Sequence, residues 1–457
     1  MKTKIPSSLL AFALLFILAA LLTAQAQGPL TPPGAPTPTM KTLDQIEART
    51  LIGSLPFTIS NSGSYYLSRN LSALSDQGGI VINASDVTLD LNGFTLFGAL
   101  GAAGSHGITI GGVFKNVTVR NGSLNDWKGR GVSAGSPTAD CRFIDLRIRN
   151  SGAEGLVGGV RATVERCTVL DGGATGISAA ANSVVKDCLS SSNDGSGISV
   201  GDNSTVANCT ASNNQGPNGT AGISVGNRCV VTHCVASDNT GTNMRGIYSS
   251  AFFGCTISHC LVAGNTGTGI FAFDAISISG GEAIVNDCTA LSNGGGGIAV
   301  GPGSVVKAST ARKNGSSGIS ASGKSTVADC SAIENNAEGF FVASGTIRNC
   351  TANLNKGDGI RITSNTAVHE NTCTNNGNDG DGAGIHAISD ANRLEGNSVT
   401  GNDRGLDVDG IENLIIRNNA VSNGANYSAI GAGNTVGPVV GVQDPITNTN
   451  PWANFSF

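Results

Sequence analysis

Charged residues are scarce in this sequence, at 13% of 457 residues against about 25% in typical soluble domains. The net charge is only −5, which provides no electrostatic footprint for nucleic acid. Only 13 prolines are present, and Val and Ile recur regularly, which argues against a disordered chain. Apart from Leu9–Leu22, no apolar run approaches the ~18 residues that a membrane-spanning helix needs.

The first residues have the pattern of a secretory signal peptide. Lys2 and Lys4 precede the apolar run, and "AQA" (24–26) supplies the small residues of a cleavage site. We therefore expect 1–26 to be a signal peptide and 27–40 a Pro-rich linker. The mature protein is then expected to be secreted, periplasmic or at the cell surface, without a membrane span, and monomeric.

Glycine is abundant, and its positions are periodic. The chain has 65 glycines, about twice the roughly 7% of an average protein. A glycine followed by an apolar residue recurs in steps of 20–28 residues, five of them 21 residues long. These glycines are Gly79, Gly107, Gly131, Gly155, Gly176, Gly197, Gly222, Gly246, Gly269, Gly297, Gly318, Gly339, Gly359, Gly384 and Gly405. Such a period indicates a solenoid built from repeats.

Cysteine and asparagine keep the same period. One column consists of Cys167, Cys188, Cys209, Cys234, Cys260, Cys288, Cys330 and Cys350. Five residues later stand Asn193, Asn214, Asn239, Asn265, Asn293, Asn314, Asn335, Asn355, Asn376 and Asn402. Cysteine suits an interior file because it is small and apolar, and stacked asparagine amides can hydrogen-bond from rung to rung. We expect mostly buried free thiols, with Cys229 and Cys255 a candidate disulfide pair on neighbouring rungs.

Each repeat has the pattern of three short strands separated by turns. At ~3.3 Å per residue, 21 residues make a coil about 70 Å around, and neighbouring coils stack ~4.8 Å apart. The sequence therefore predicts an all-β fold, a parallel β-helix of about 15 coils over 79–430. A leucine-rich repeat has a similar period but needs leucines at fixed spacing, which are missing here.

Two segments carry a family resemblance. "VTLDLNGFTL" (87–96) and "NVTVRNGSL" (116–124), followed by the Gly-Ile/Asn rungs, resemble the right-handed parallel β-helix proteins of the pectin-lyase-like superfamily. The flanks resemble those of exported bacterial members, with 41–78 as an N-terminal cap and 431–457 as a C-terminal capping tail. Within the cap, Thr42 and Gln45 have capping-box spacing for a short helix over 42–49.

The last coils carry charged residues at the outward position of the first strand. Arg361, His386 and Asp407 should lie on successive rungs, and Asp409 shares the face of Asp407. Proton transfer on a uronic sugar needs a base near the ring proton and a cation opposite the carboxylate, which this set could supply. The alternative is a set of ion pairs that link neighbouring rungs.

Candidate binding residues surround this set. Asp358 and Arg404 directly precede their glycines, and Tyr248, Phe271 and Phe341 are outward rings that could stack on sugars. In "NDGDGAGIH" (378–386), Asp379 and Asp381 could offer oxygens to calcium, or form a plain turn. No other cofactor is expected.

Two functions follow from the resemblance. The first is an exported protein that binds polysaccharide or serves as a surface or matrix component, because no complete catalytic signature is present. The second is a polysaccharide-active enzyme, a uronate lyase, glycoside hydrolase or C5-epimerase, acting through Arg361, His386, Asp407 and Asp409. Whether the protein is an enzyme stays open at this point, since a fold alone does not define a function.

Overall fold

Strands form all of the regular structure in the part of the chain that the structure describes. The computed structural model describes residues 47–457 except 75–76, 100–104, 136, 217–218, 250–252, 268–273, 378–379, 381 and 442–447. These residues contain 54 strands and no helix, and thus no helix able to cross a membrane. The expected signal peptide, linker and most of the expected helix over 42–49 lie outside the described residues. The last residues of that helix, 47–49, are not helical.

The first strand of each coil belongs to one parallel sheet, called sheet 1. Its strands are Phe57–Ile59, Ile80–Ile82, Ile108–Ile110, Val132–Ser133, Leu156–Gly158, Ile177–Ala179, Ile198–Val200, Ala221–Val225, Arg245–Ser249, Ile276–Ile278, Ile298–Val300, Ile319–Ala321, Phe340–Val342, Ile360–Ile362, Ala383–Ala387, Arg404–Val408 and Ala425–Ser428. They correspond to about 17 turns, which confirms the predicted β-helix. The number of coils is two larger than the 15 expected from the sequence. The two additional coils have Pro56 and Asn426 where the others have glycine or alanine, so the glycine pattern missed them.

The second and third strands of the coils form a 34-stranded sheet, called sheet 2. Its strands as far as the twelfth coil are Thr50–Ile52, Gly63–Leu67, Leu71–Ser72, Val87–Asp90, Thr95–Phe97, Val117–Asn125, Arg142–Arg149, Thr163–Glu165, Thr168–Leu170, Val184–Lys186, Leu189–Ser191, Thr205–Ala207, Thr210–Ser212, Val230–Thr232, Val235–Ser237, Thr256–Ser258, Leu261–Ala263, Ile284–Asn286, Thr289–Leu291, Val305–Lys307, Thr310–Arg312, Ser325–Ala328 and Ser331–Ile333. The later strands are Gly345–Arg348, Thr351–Asn353, Thr366–His369, Thr372–Thr374, Arg393–Glu395, Ser398–Thr400, Leu414–Ile416, Asn419–Val421, Thr435–Val436, Val439–Gly441 and Asn454–Ser456. A small third sheet comprises Gln215–Gly216, Thr240–Gly241 and Thr266–Gly267.

One rung differs from the glycine pattern. The sequence places Gly269 and Phe271 next to the rung of Tyr248, but the strand that pairs there is Ile276–Ile278, with Ser277 opposite Tyr248. Buried Ala275 therefore takes the place of the glycine on this rung. Phe271 itself lies outside the described residues.

The asparagine column forms a continuous ladder. From Asn193 to Asn423, each Nδ2 donates to the Oδ1 of the asparagine in the next coil at 2.8–3.0 Å. Asn423 then donates to Asn426, three residues further along the chain, at 2.9 Å. Each Oδ1 also accepts the backbone N–H of the preceding asparagine, as Asn335 does from Asn314 at 3.1 Å. The buried amides thus satisfy one another, which removes the free-energy cost of burying them.

The cysteine column is buried, and all twelve cysteines are free thiols. Along the column the N–H of Cys167 donates to Cys188 Sγ at 3.4 Å, which confirms vertical stacking. The candidate pair Cys229 and Cys255 is therefore not a disulfide. In the last coils the cysteine position is taken by asparagines, which form a second ladder from Asn371 through Asn397 and Asn418 to Asn454.

The bend before the cysteine column has a left-handed backbone throughout. Asp187 and Asn208 have φ of 55° and 53°, as expected for residue types that tolerate this region. Arg166 and Ala308, whose residue types rarely adopt this region, also have φ of 50° and 48°. The stacked coils thus impose the conformation on residues that would rarely adopt it alone, and Arg166 gains an ion pair with Asp145 at 2.8 Å.

Both ends of the described solenoid continue the coil pattern. In the segment expected as an N-terminal cap, Phe57–Ile59 already pairs with Ile80–Ile82. In the C-terminal tail, Asn454–Ser456 pairs with Asn419–Val421, and buried Asn454 extends the second asparagine ladder. The tail therefore contributes a strand to the last coil, and Val439–Gly441 pairs with the other edge of that strand, which protects it.

Breaking the ladder should destabilise the fold. Asn314→Ala removes the acceptor for the N–H and Nδ2 of Asn293 and a donor to Asn335, leaving buried polar groups unpaired. We expect a loss of about 1–3 kcal/mol in the free energy of unfolding, measured by denaturant titration. Exposed Asn336→Ala is the matched control and should change stability little. Equal stability of the two variants would contradict the role of the ladder.

Candidate functional site

The outward positions of sheet 1 in the last coils form a line of unlike side chains. The strand register pairs Phe341 with Arg361, Arg361 with His386, and His386 with Asp407. The structure thus places Arg361, His386 and Asp407 on successive rungs, as the spacing indicates. Their chemical roles remain predictions.

The imidazole of His386 lies between carboxylates on both sides. Its Nδ1 is 2.9 Å from Asp358 Oδ2, and its Nε2 is 3.0 Å from Asp409 Oδ2 and 3.7 Å from Asp407 Oδ2. Asp358 is itself held in place, because its Oδ1 accepts the N–H of Ala383 at 2.7 Å. The ring is therefore fixed in orientation by a buried carboxylate, while its Nε2 faces the other two.

Asp407 is fully buried, although its position in the strand predicts an outward side chain. Arg404 Nη1 lies 2.7 Å from Asp407 Oδ2, but no hydrogen bond of good geometry reaches either carboxylate oxygen. A buried carboxylate is costly unless it is paired and hydrogen-bonded, so this side chain depends on the charges of Arg404 and His386. Asp409 is different, since 54% of its side chain is exposed.

These contacts set the protonation of His386. Burial of the ring opposes the charged form, but the hydrogen bonds to Asp358 and Asp409 outweigh it and raise the pKa of His386 to about 9. At neutral pH the ring is therefore protonated when no cation occupies Nε2. In that state it can donate a proton, but it cannot accept one.

Arg361 belongs to a separate ion pair. Its Nη1 lies 3.1 Å from Glu338 Oε1, and Glu338 Oε2 accepts the hydroxyl of Ser317 at 2.7 Å. Burial raises the pKa of Glu338, but the hydrogen bonds from Ser317 and Arg361 outweigh it, so the pKa lies below its usual value. The four residues expected to act together thus divide into an arginine–glutamate pair and a histidine–aspartate cluster.

Only some of the other expected binding residues lie beside His386. Asp358 and Arg404 join the cluster around His386, and Phe341 is half-buried on the rung beside Arg361. The ring of Tyr248 is covered on one face by the guanidinium of Arg245, 4.0 Å from the ring centroid. The expected calcium ligands Asp379 and Asp381 lie outside the described residues.

One possible metal-binding group is present in the described part of the chain. His386, Asp407 and Asp409 each offer a ligand atom, and these atoms lie within 4.8 Å of one another. The spacing of the three residues indicated that they share a face. The contact of Asp358 with His386 was harder to foresee, because it joins two different columns of the repeat.

Comparison with protein families agrees with this architecture. The family model for the right-handed β-helix region matches residues 57–242, 138–278 and 245–391, together well over half of the chain. The chain belongs to the right-handed β-helix family. A search of the curated proteins finds no match.

Several solved structures are similar to this β-helix. The A-module of the Azotobacter vinelandii mannuronan C-5 epimerase AlgE4 is 15% identical over 77% of this chain and 90% of its own, with a TM-score of 0.34. PfbA, a surface adhesin of Streptococcus pneumoniae, is 11% identical over 70% and 84%, with a TM-score of 0.34. The pectate lyase Pel9A is 14% identical over 73% and 71%, with a TM-score of 0.29.

The charge on His386 should make stability depend on pH. Because the folded pKa of about 9 exceeds the ordinary value of 6.5, the contribution of the ring is complete below about pH 6.5 and is lost as pH rises through 9. With a chelator present, the stability advantage of the wild type over His386→Gln should shrink across this window by on the order of 3 kcal/mol. Denaturant titrations at each pH measure it, and a constant difference would contradict the raised pKa.

Proposed function

We propose that this β-helix protein binds a polysaccharide along the outer face of sheet 1 in its last coils, as an exported surface or matrix component. The observation that carries the proposal is the register line of Phe341, Arg361 and His386, with the exposed carboxylate of Asp409 beyond it. It sets an aromatic ring, a guanidinium, an imidazole and a carboxylate side by side on adjacent rungs. Export rests on the expected signal peptide.

The spacing of this line suits an extended polymer. A linear chain lying along the solenoid axis meets a new outward side chain about every 4.8 Å. The apolar face of a sugar can pack on Phe341, while its hydroxyl and carboxylate groups can bond to Arg361, of which 39% is exposed. Asp409 adds an exposed acceptor at the end of the line.

Protonation favours binding over catalysis by a histidine base. A base must accept a proton, whereas His386 already carries one at neutral pH in the cation-free protein. Its Nε2 proton is directed to Asp409 and its Nδ1 proton to Asp358, so both ring nitrogens are already paired with carboxylates. This matches a rigid, preformed recognition surface.

Removal of the exposed guanidinium should weaken binding. Arg361→Ala should lower the affinity for polyuronates such as alginate or pectin by about tenfold or more, the size of one charged hydrogen bond. Calorimetry with defined oligosaccharides measures the dissociation constant. Arg312→Ala is the matched control, because Arg312 forms an equivalent 3.1 Å pair with Glu334 on sheet 2. Equal weakening in both variants, or no binding of any polymer, would refute the proposal.

A second candidate is a polysaccharide-active enzyme of the lyase, hydrolase or epimerase type. The arrangement of His386 favours it, since Asp358 orients the ring and the Nε2 proton lies beside the buried carboxylate of Asp407. In this role His386 is a general acid that gives its proton to a leaving or reacting oxygen, and Asp407 stabilises the charged ring. Glycosidic-bond cleavage is the reaction class that most directly uses such a proton.

Turnover assays separate the two candidates. Chelator-treated protein is incubated with pectin and alginate, and unsaturated ends, reducing ends and C5 inversion are followed. If His386 is the acid, His386→Ala and Asp407→Asn should each lower the rate by about 100-fold or more, and the wild-type rate should fall as pH rises through about 9. Turnover unchanged in both variants, or none on any polymer, would eliminate the enzyme and leave the binding protein.

A further inference from the structure

We infer that His386, Asp407 and Asp409 form a binding site for a divalent transition-metal ion, with Zn²⁺ as the best-fitting cation. The ligand atoms are His386 Nε2 and one oxygen each from Asp407 and Asp409. The inference does not depend on polysaccharide binding. It excludes the general-acid role, because a bound cation takes the nitrogen that would carry the proton.

The separations of the ligand atoms fit a small cation. Zinc lies about 2.0–2.2 Å from nitrogen and carboxylate ligands, so the ligands of a tetrahedral site are about 3.4 Å apart. Nε2 is 3.0 Å from Asp409 Oδ2 and 3.7 Å from Asp407 Oδ2, and the whole set lies within 4.8 Å. Asp409 is the exposed member, so its side chain can rotate to close the remaining distance.

The buried carboxylate of Asp407 is an independent sign of a missing partner. Its side chain is 0% exposed, and neither oxygen has a hydrogen bond of good geometry. Arg404 Nη1 lies 2.7 Å from Oδ2, which has a second lone pair that a cation beside His386 Nε2 can share. A cation at this point would supply the electrostatic partner that a carboxylate removed from water requires.

Asp358 gives the arrangement a further property of metal sites. A histidine ligand usually directs its second ring nitrogen to a carboxylate, which fixes the ring and increases its basicity. Asp358 Oδ2 is 2.9 Å from His386 Nδ1, and its Oδ1 is held by the N–H of Ala383. Asp358 is thus a positioning residue, and His386 presents Nε2 to the two other carboxylates.

The ligand types select the metal. Calcium and magnesium prefer oxygen ligands alone, whereas an imidazole nitrogen combined with carboxylates suits zinc and similar ions. Three protein ligands with an exposed side at Asp409 leave a fourth position for water or another ligand.

Zinc titration of the full chain, purified without a histidine tag and treated with chelator, tests the inference. Calorimetry should show one Zn²⁺ per chain, with the affinity lowered by at least tenfold in Asp409→Asn and abolished in His386→Gln. Asp358→Asn should weaken binding by about 10–100-fold, as loss of an orienting carboxylate does. The melting temperature should rise with Zn²⁺ in the wild type and not in His386→Gln.

Matched controls keep the result interpretable. His259 lies 3.5 Å from Asp287 on the surface and stacks on His233, so His259→Gln removes an ordinary exposed histidine–aspartate pair. It should leave the affinity unchanged. Asp409 is exposed, so its variant should fold, and circular dichroism checks this. Absence of stoichiometric Zn²⁺ binding, equal weakening in His259→Gln, or equally tight binding of Ca²⁺ would overturn the inference.

Discussion

The structure depends on one constraint: each interior residue of a coil must pack against, or hydrogen-bond to, the equivalent residue of the next coil. Parallel strands place equivalent residues about 4.8 Å apart, so an interior position is occupied by a file of similar side chains rather than by a single one. The asparagine ladder from Asn193 to Asn423 shows the consequence, because an amide within it is both the donor to one neighbour and the acceptor from another. The same rule explains the exchange of cysteine for asparagine after Cys350, where Asn371 accepts the N–H that a sulfur accepts in earlier coils.

Stacking also controls the backbone. The left-handed bend before the cysteine column occurs at Asp187 and Asn208, whose side chains favour it, and equally at Arg166 and Ala308, whose side chains do not. For most L-residues this conformation costs about 1–2 kcal/mol, which the pairing of two flanking strands with both neighbouring coils offsets. The conformational preference of Asp and Asn therefore makes most bends recognisable in the sequence. The pairing of whole coils determines the backbone conformation at every bend, whatever the residue type.

The outer face of the last coils follows a different rule. Here the residues on neighbouring rungs are of different types, and ion pairs rather than contacts between identical side chains link the rungs. His386 bridges Asp358 of the preceding coil and Asp409 of the following one, and Arg404 compensates the buried carboxylate of Asp407. The proposed binding of a sugar, the alternative of proton donation and the inferred metal binding all use this arrangement, and they differ in the group that approaches Nε2 of His386.

The sequence by itself determined the solenoid, its period, the interior files and the rungs of Arg361, His386 and Asp407, because residues at the same place in successive repeats become vertical neighbours. It missed the coils of Phe57 and Tyr427 and the true rung beside Tyr248, where other residues take the place of glycine. Only the tertiary structure decided that Asp407 is buried, that Arg361 pairs with Glu338, and that Asp358 reaches His386. The period of a repeat defines which backbone positions are adjacent, whereas the direction and burial of a long polar side chain depend on charges in other columns.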